Sequence, residues 1–176
     1  MLSVVGPLLL ILYLCIGFIP NMEAVDKIAP QWIGMTILNL VSLLIFINYR
    51  SSLKEAISRV LNSYLSLFYI VFILWAGLSY FYAINSTEVL VNITRQVNVL
   101  LMFLSMGIIF SRIKNKSQFI SWTLVIILSV EIYAVLNEAL GMIKNGSIEG
   151  GNIKGVTANR NITAFSIAIK IPFVLY

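Results

Sequence analysis

Glu131, Glu138 and Lys170 are charged residues set inside otherwise apolar stretches, and Arg95 stands where another such stretch begins. In hydrocarbon a charged side chain costs several kcal/mol unless it is paired or hydrated, so each position calls for a partner or a purpose. Glu131 and Glu138 are seven residues apart and lie on nearly one helix face. Counted inward from the polar ends of their segments, Glu131 and Lys170 both fall ~13 Å deep, which makes a contact between neighbouring helices reasonable. Such a pair either fixes helix packing or forms the wall of a polar cavity.

Two further constellations carry charge near segment ends. Asn85, Glu88, Asn92 and Arg95 follow helical spacing and form one polar stripe, with Asn85 and Glu88 placed as a capping box. A solvated helix end accounts for the stripe. Arg95 falls where that helix enters the apolar zone, so it is expected to pair with Glu138 or to face an anionic ligand. The stretch "SIEGGNIKGVTANRN" offers Gly150, Gly151 and Gly155 for tight backbone paths and Lys154 and Arg160 as cations. Asn159, Arg160 and Asn161 then lead into the last helix, so Arg160 and the helix's free N–H groups are placed to face an anion. The spacing is not that of a P-loop, and Gly-Asn loops between helices are common.

Other chemistries are missing. The chain has no histidine, which excludes a Ser-His-Asp set, and no His/Cys/carboxylate cluster has metal-ligand spacing. The lone Cys15 can form no internal disulfide and reads as packing.

Composition names the solvent that the positioning elements must meet. Hydrophobic residues make up 60% of the chain and charged residues 11%, against about 25% charged in a typical soluble domain. The fold class is therefore all-α, a polytopic α-helical membrane protein. The net charge of +5 comes from singly scattered cations with no basic stripe, which argues against nucleic acid as a partner. Six apolar segments are read: about Leu2–Ile19, Trp32–Tyr49, Leu61–Tyr82, Asn85–Phe110, Phe119–Leu140 and Ile162–Tyr176. Trp75, Tyr80 and Tyr82 are candidates for an interfacial aromatic belt. From Glu88 to Arg112 is ~37 Å, so the first part of that helix is expected at or above the interface. The last segment reaches only ~22 Å against a core of ~30 Å, and no cap or polar stop follows it. Residues 1–176 are accordingly expected to be a single membrane domain, the front part of a longer protein.

Orientation rests on the loops. Arg50, Lys54 and Arg59 lie between the second and third segments, and Arg112, Lys114 and Lys116 between the fourth and fifth. The opposite side carries Lys27, Arg95, Lys144, Lys154 and Arg160, most of them in one long loop. The positive-inside rule favours a cytoplasmic N-terminus, with the stretch before the last segment on the outer face.

Two stretches resemble the O-antigen ligase and polymerase superfamily of bacterial envelope proteins. "LWAGLSYFYAINSTEVLVNITRQVNVLLMF" is similar to the family's third-to-fourth helix region, through Trp75, Ser79, Asn85 and Arg95. "GVTANRNITAFSIAIKIPFVLY" resembles the outer-face loop and following helix, through Gly155, Asn159, Asn161 and Pro172. The resemblance implies a multi-pass glycosyltransferase of the bacterial inner membrane. Its members move a glycan from a polyprenyl diphosphate carrier to a glycan, lipid or protein acceptor on the outer face, with no cofactor. Arginines there would take the place of a metal in neutralising the diphosphate, which assigns Arg95, Lys154 and Arg160 to substrate binding. Gly155, Asn159 and Asn161 would position the loop. The family's later outer loop, with its histidine, has no counterpart in this chain, so these residues would form only the donor side. The rival expectation is a transporter or flippase that uses Glu131, Glu138 and Lys170.

Overall fold

A chain this apolar satisfies its backbone internally, and in hydrocarbon a helix does so within one segment. The computed structural model describes residues 2–20, 22, 26, 28–146, 153–155 and 160–175, with the backbone alone for Leu2, Ser3, Arg160, Phe173 and Val174. Its helices are α1 (Leu2–Leu14), α2 (Ala29–Asn48), α3 (Arg50–Leu61), α4 (Tyr64–Leu78), α5 (Ser86–Ser111), α6 (Lys116–Lys144) and α7 (Arg160–Leu175). Short 3₁₀ turns follow α1 and α4, and no strand occurs among the described residues.

Four stretches are long and apolar enough to cross a membrane: Ala29–Asn48, Tyr64–Phe81, Ser86–Ser111 and Lys116–Lys144. The first expected segment forms a helix of 13 residues with Pro7 inside it, which removes one backbone donor from the ladder. At 1.5 Å per residue it covers ~20 Å, short of the hydrocarbon thickness. The described part of α7 has 16 residues and contains Pro172. Of the six expected spans, then, four have the required length among the described residues.

Outward-facing side chains confirm the solvent. Phe68 and Trp75 on α4 are more than two-thirds exposed, as are Phe81 and Tyr82 just beyond its end. Water would penalise such a surface; lipid tails do not. Trp75 near the end of α4 and Tyr80 and Tyr82 just beyond it, the candidates for an aromatic belt, are all exposed.

α3 is an addition to the expected architecture. Sequence reading treated its cations as loop charges, yet Leu53, Ala56, Ile57, Val60 and Leu61 recur at helical spacing and make one apolar face. Leu53 and Ala56 on that face are buried.

The described chain forms two compact units, Met1–Ile113 and Lys114–Tyr176. In the first, α5 is the central element and touches α1, α2, α3 and α4. Its buried layer includes a polar network. The Tyr13 hydroxyl donates to Asn39 Oδ1 at 2.8 Å and meets Ser42 Oγ at 3.0 Å. Asn39 Nδ2 donates to the Asn98 carbonyl at 2.9 Å and to its Oδ1. In the second unit, α6 packs against α7.

Candidate functional site

Three polar constellations survive the fold. The first stands at the start of α5. Asn85 Oδ1 accepts from the Glu88 N–H at 3.2 Å and caps the helix, as its spacing predicted. Two turns further on, Arg95 donates to Asp26 Oδ2 at 2.8 Å, and its guanidinium carbon lies 5.6 Å from the centroid of the Trp32 ring. Asp26 lies three residues before α2. Sequence reading had proposed Glu138 for this role or left Arg95 facing a ligand. The arginine instead has a nearby carboxylate and an aromatic face, both supplied from just before and within the first turn of α2. About a third of the Arg95 side chain stays accessible. It borders an open cleft of about 430 Å³ together with Asp26, Trp32, Thr36 and Asn98. Asn98 Nδ2 donates to Thr36 Oγ1 at 2.7 Å, and the buried Trp32 Nε1 has no hydrogen-bond partner among the described residues.

The second constellation joins α6, the loop and α7. Glu138 Oε2 accepts the backbone N–H groups of Lys154 and Gly155, each at 2.8 Å. From α7, Thr163 Oγ1 donates to the Lys154 carbonyl at 2.7 Å. A short piece of loop is thus held from both helices. Gly155 has φ of +60°, and an added Cβ would stand 2.7 Å from Thr163 Cγ2. Only glycine fits there, for backbone and for space. The Lys154 side chain is exposed and makes no ion pair among the described residues. Arg160 and Asn161 open α7, and Asn161 is exposed. Gly150, Gly151 and Asn159 lie outside the described residues.

The third lies deeper between the same two helices. Lys170 Nζ and Glu131 Oε1 are 2.5 Å apart, with 17% and 6% of their side chains exposed. The contact anticipated from depth along the two segments is therefore made. Ser166 joins it: its hydroxyl donates to Glu131 Oε1 at 2.9 Å and accepts from Lys170 Nζ at 2.6 Å. The other carboxylate oxygen, Glu131 Oε2, is buried without a hydrogen-bond partner among the described residues.

Asp26, Trp32, Thr163 and Ser166 were not singled out from sequence. Ser166 alone carried a usable signal, since it precedes Lys170 by one helical turn. No three His, Cys, Asp or Glu side chains come together as a metal site among the described residues.

Fold and composition define a multi-pass α-helical membrane protein. No protein-family model, curated protein or solved structure matches the chain.

Proposed function

We propose that this chain belongs to a glycosyltransferase of the O-antigen ligase or polymerase type in the bacterial inner membrane. It would take a glycan from a polyprenyl diphosphate carrier and pass it to a glycan or lipid acceptor on the outer face. The observation that carries the reading is the clasped turn at Lys154 and Gly155. Glu138 and Thr163 fix this turn to α6 and α7, so Lys154 is displayed from a rigid support and not from a free loop. Arg160 opens α7, and the amino end of a helix adds positive potential toward an anion. In the reaction the bond between the sugar's anomeric carbon and the diphosphate oxygen breaks, and the acceptor oxygen forms the new bond there. Negative charge grows on the leaving diphosphate, and fixed cations in a low-dielectric site stabilise it as it forms. Arg95, held by Asp26 and Trp32, is a further cation assigned to the donor side.

Consecutive spans alternate sides, so the positive-inside argument puts the start of α5, the end of α6 and the start of α7 outside. The test has two arms. Cysteine placed at Lys154 in a Cys15→Ser background should react with a membrane-impermeant maleimide in intact cells. Purified protein should bind polyprenyl diphosphate more tightly than the monophosphate, and Lys154→Gln with Arg160→Gln should weaken it by about tenfold or more. Labelling only after lysis, or equal binding by the double variant, would end the proposal.

One observation favours a second reading, a transporter or flippase built on Glu131 and Lys170. The buried, unpartnered oxygen of Glu131 is what a cation or proton pathway offers its cargo. Glu138, originally grouped with this pair, is occupied in holding the loop. Proton- or cation-dependent flux through reconstituted vesicles, lost in Glu131→Gln, would replace the transferase with the transporter.

A further inference from the structure

α3 joins the end of α2 to the start of α4, two stretches long enough to span, so it lies at the level of the headgroups of one leaflet. Its setting is rigid. At one end Arg112, just beyond α5, donates from its guanidinium to the Ser52 carbonyl. At the other, Ser63 and Ser66 hydroxyls both donate to the Val60 carbonyl, at 2.9 and 2.6 Å. Between them Leu53 and Ala56 are buried, and Val60 approaches α5 at Gly107, where an added Cβ would be 3.3 Å from Val60 Cγ1. This packing takes up Leu53 and Ala56, while Leu61 at the end of the face stays exposed. The outward polar face carries Arg50, Ser51, Ser52, Lys54, Glu55, Ser58 and Arg59, all exposed.

Those residues are not a simple solvated stripe. Ser52, Lys54, Ser58, Arg59 and Arg112 border one open cleft of about 910 Å³, and Arg50 with Lys54 borders a second beside it. Glu55 is the sole carboxylate lining either cleft, and Arg59 engages it at 2.8 Å. Arg50 and Lys54 have no ion-pair partner among the described residues. Cations flanked by hydroxyls suit a phosphate group, which offers charge and several acceptor oxygens together.

We propose that the polar face of α3, with Arg112, is a binding site for the phosphate of an anionic phospholipid in the adjoining leaflet. A lipid is the occupant because its acyl chains run into the bilayer beside the same helices whose ends α3 connects. Its headgroup then reaches the clefts without leaving the membrane surface. Cations near an anionic leaflet contribute on the order of fivefold each to affinity, so losing two should weaken binding about thirtyfold. Nothing in this inference depends on the transferase reading.

The test titrates the full chain in non-ionic detergent with short-chain phosphatidylglycerol, phosphatidylcholine or inorganic phosphate, and follows the thermal unfolding midpoint. Phosphatidylglycerol should raise the midpoint at much lower concentration than phosphatidylcholine, and inorganic phosphate should do little. Arg50→Gln with Lys54→Gln, which leaves the Arg59–Glu55 pair intact, should need about thirtyfold more phosphatidylglycerol for the same shift. Lys54→Gln alone should need about fivefold more and serves if the double variant is poorly folded. Equal response to the two lipids overturns the proposal, as does an unchanged titration in these variants. A phosphate response matching that of phosphatidylglycerol overturns it too, in favour of a soluble phosphorylated ligand.

Discussion

Breaking the Glu131–Lys170 pair one partner at a time should cost far more than removing both. At an N···O distance of 2.5 Å and an effective dielectric of about 20, the gross attraction is roughly 7 kcal/mol. Desolvation consumes several kcal/mol for each ion, so the net worth of the intact pair is small. Truncating a single partner is another matter. The surviving charge stays buried with no counter-ion, and we expect Glu131→Ala or Lys170→Ala each to destabilise by about 3–5 kcal/mol. The double variant removes both charges and should lose less than the sum of the singles, with a coupling of at least about 2 kcal/mol. Glu131→Gln should fall between, because an amide oxygen still accepts from Ser166 and Lys170. The assay is equilibrium unfolding of the four proteins in mixed micelles, read by helical circular dichroism. Losses that add to within about 0.5 kcal/mol would mean that the two residues act independently, and the pairing would be refuted.

Replacing Gly155 by alanine forces a left-handed backbone on a side-chain-bearing residue and drives its Cβ into Thr163; a loss of about 1–3 kcal/mol in the same unfolding assay is expected. Glu138→Ala should free the Lys154 and Gly155 amides, so hydrogen exchange at these residues should quicken while global stability changes by no more than about 2 kcal/mol. Asn39→Leu leaves the Tyr13 hydroxyl and the Asn98 groups short of a partner in a buried layer; about 1–3 kcal/mol should be lost, and an unchanged midpoint would contradict the network. Arg95→Gln removes a partly exposed ion pair worth no more than about 1 kcal/mol, so any effect on polyprenyl diphosphate binding should exceed its effect on stability.

Much of this was readable from residue order because lipid imposes a simple test on each segment. α2, α4, α5 and α6 follow from sustained apolarity, and the Asn85 cap from a local pattern. The Glu131–Lys170 contact was reachable because the two helices are consecutive and depth can be counted from their ends. α3 was legible in principle from its apolar spacing but hidden by its polar content, since an amphipathic helix beside membrane spans has the composition of a loop. The Asp26 partner of Arg95 was not legible because it lies 69 positions earlier in the chain. The two amides held by Glu138 were not legible either, because backbone donors carry no signature in sequence.

By itself, then, the sequence determined the solvent, the helical class and the places where charge would need company. Hydropathy and helix depth are sums over neighbours in the chain, so residue order suffices for them. Lys170 for Glu131 apart, which group keeps that company was decided only by tertiary structure. Asp26 and Trp32 reach Arg95, two loop amides occupy Glu138, and Ser166 joins Glu131, because the packing of α2 on α5 and of α6 on α7 brings them within hydrogen-bond or ring-stacking distance.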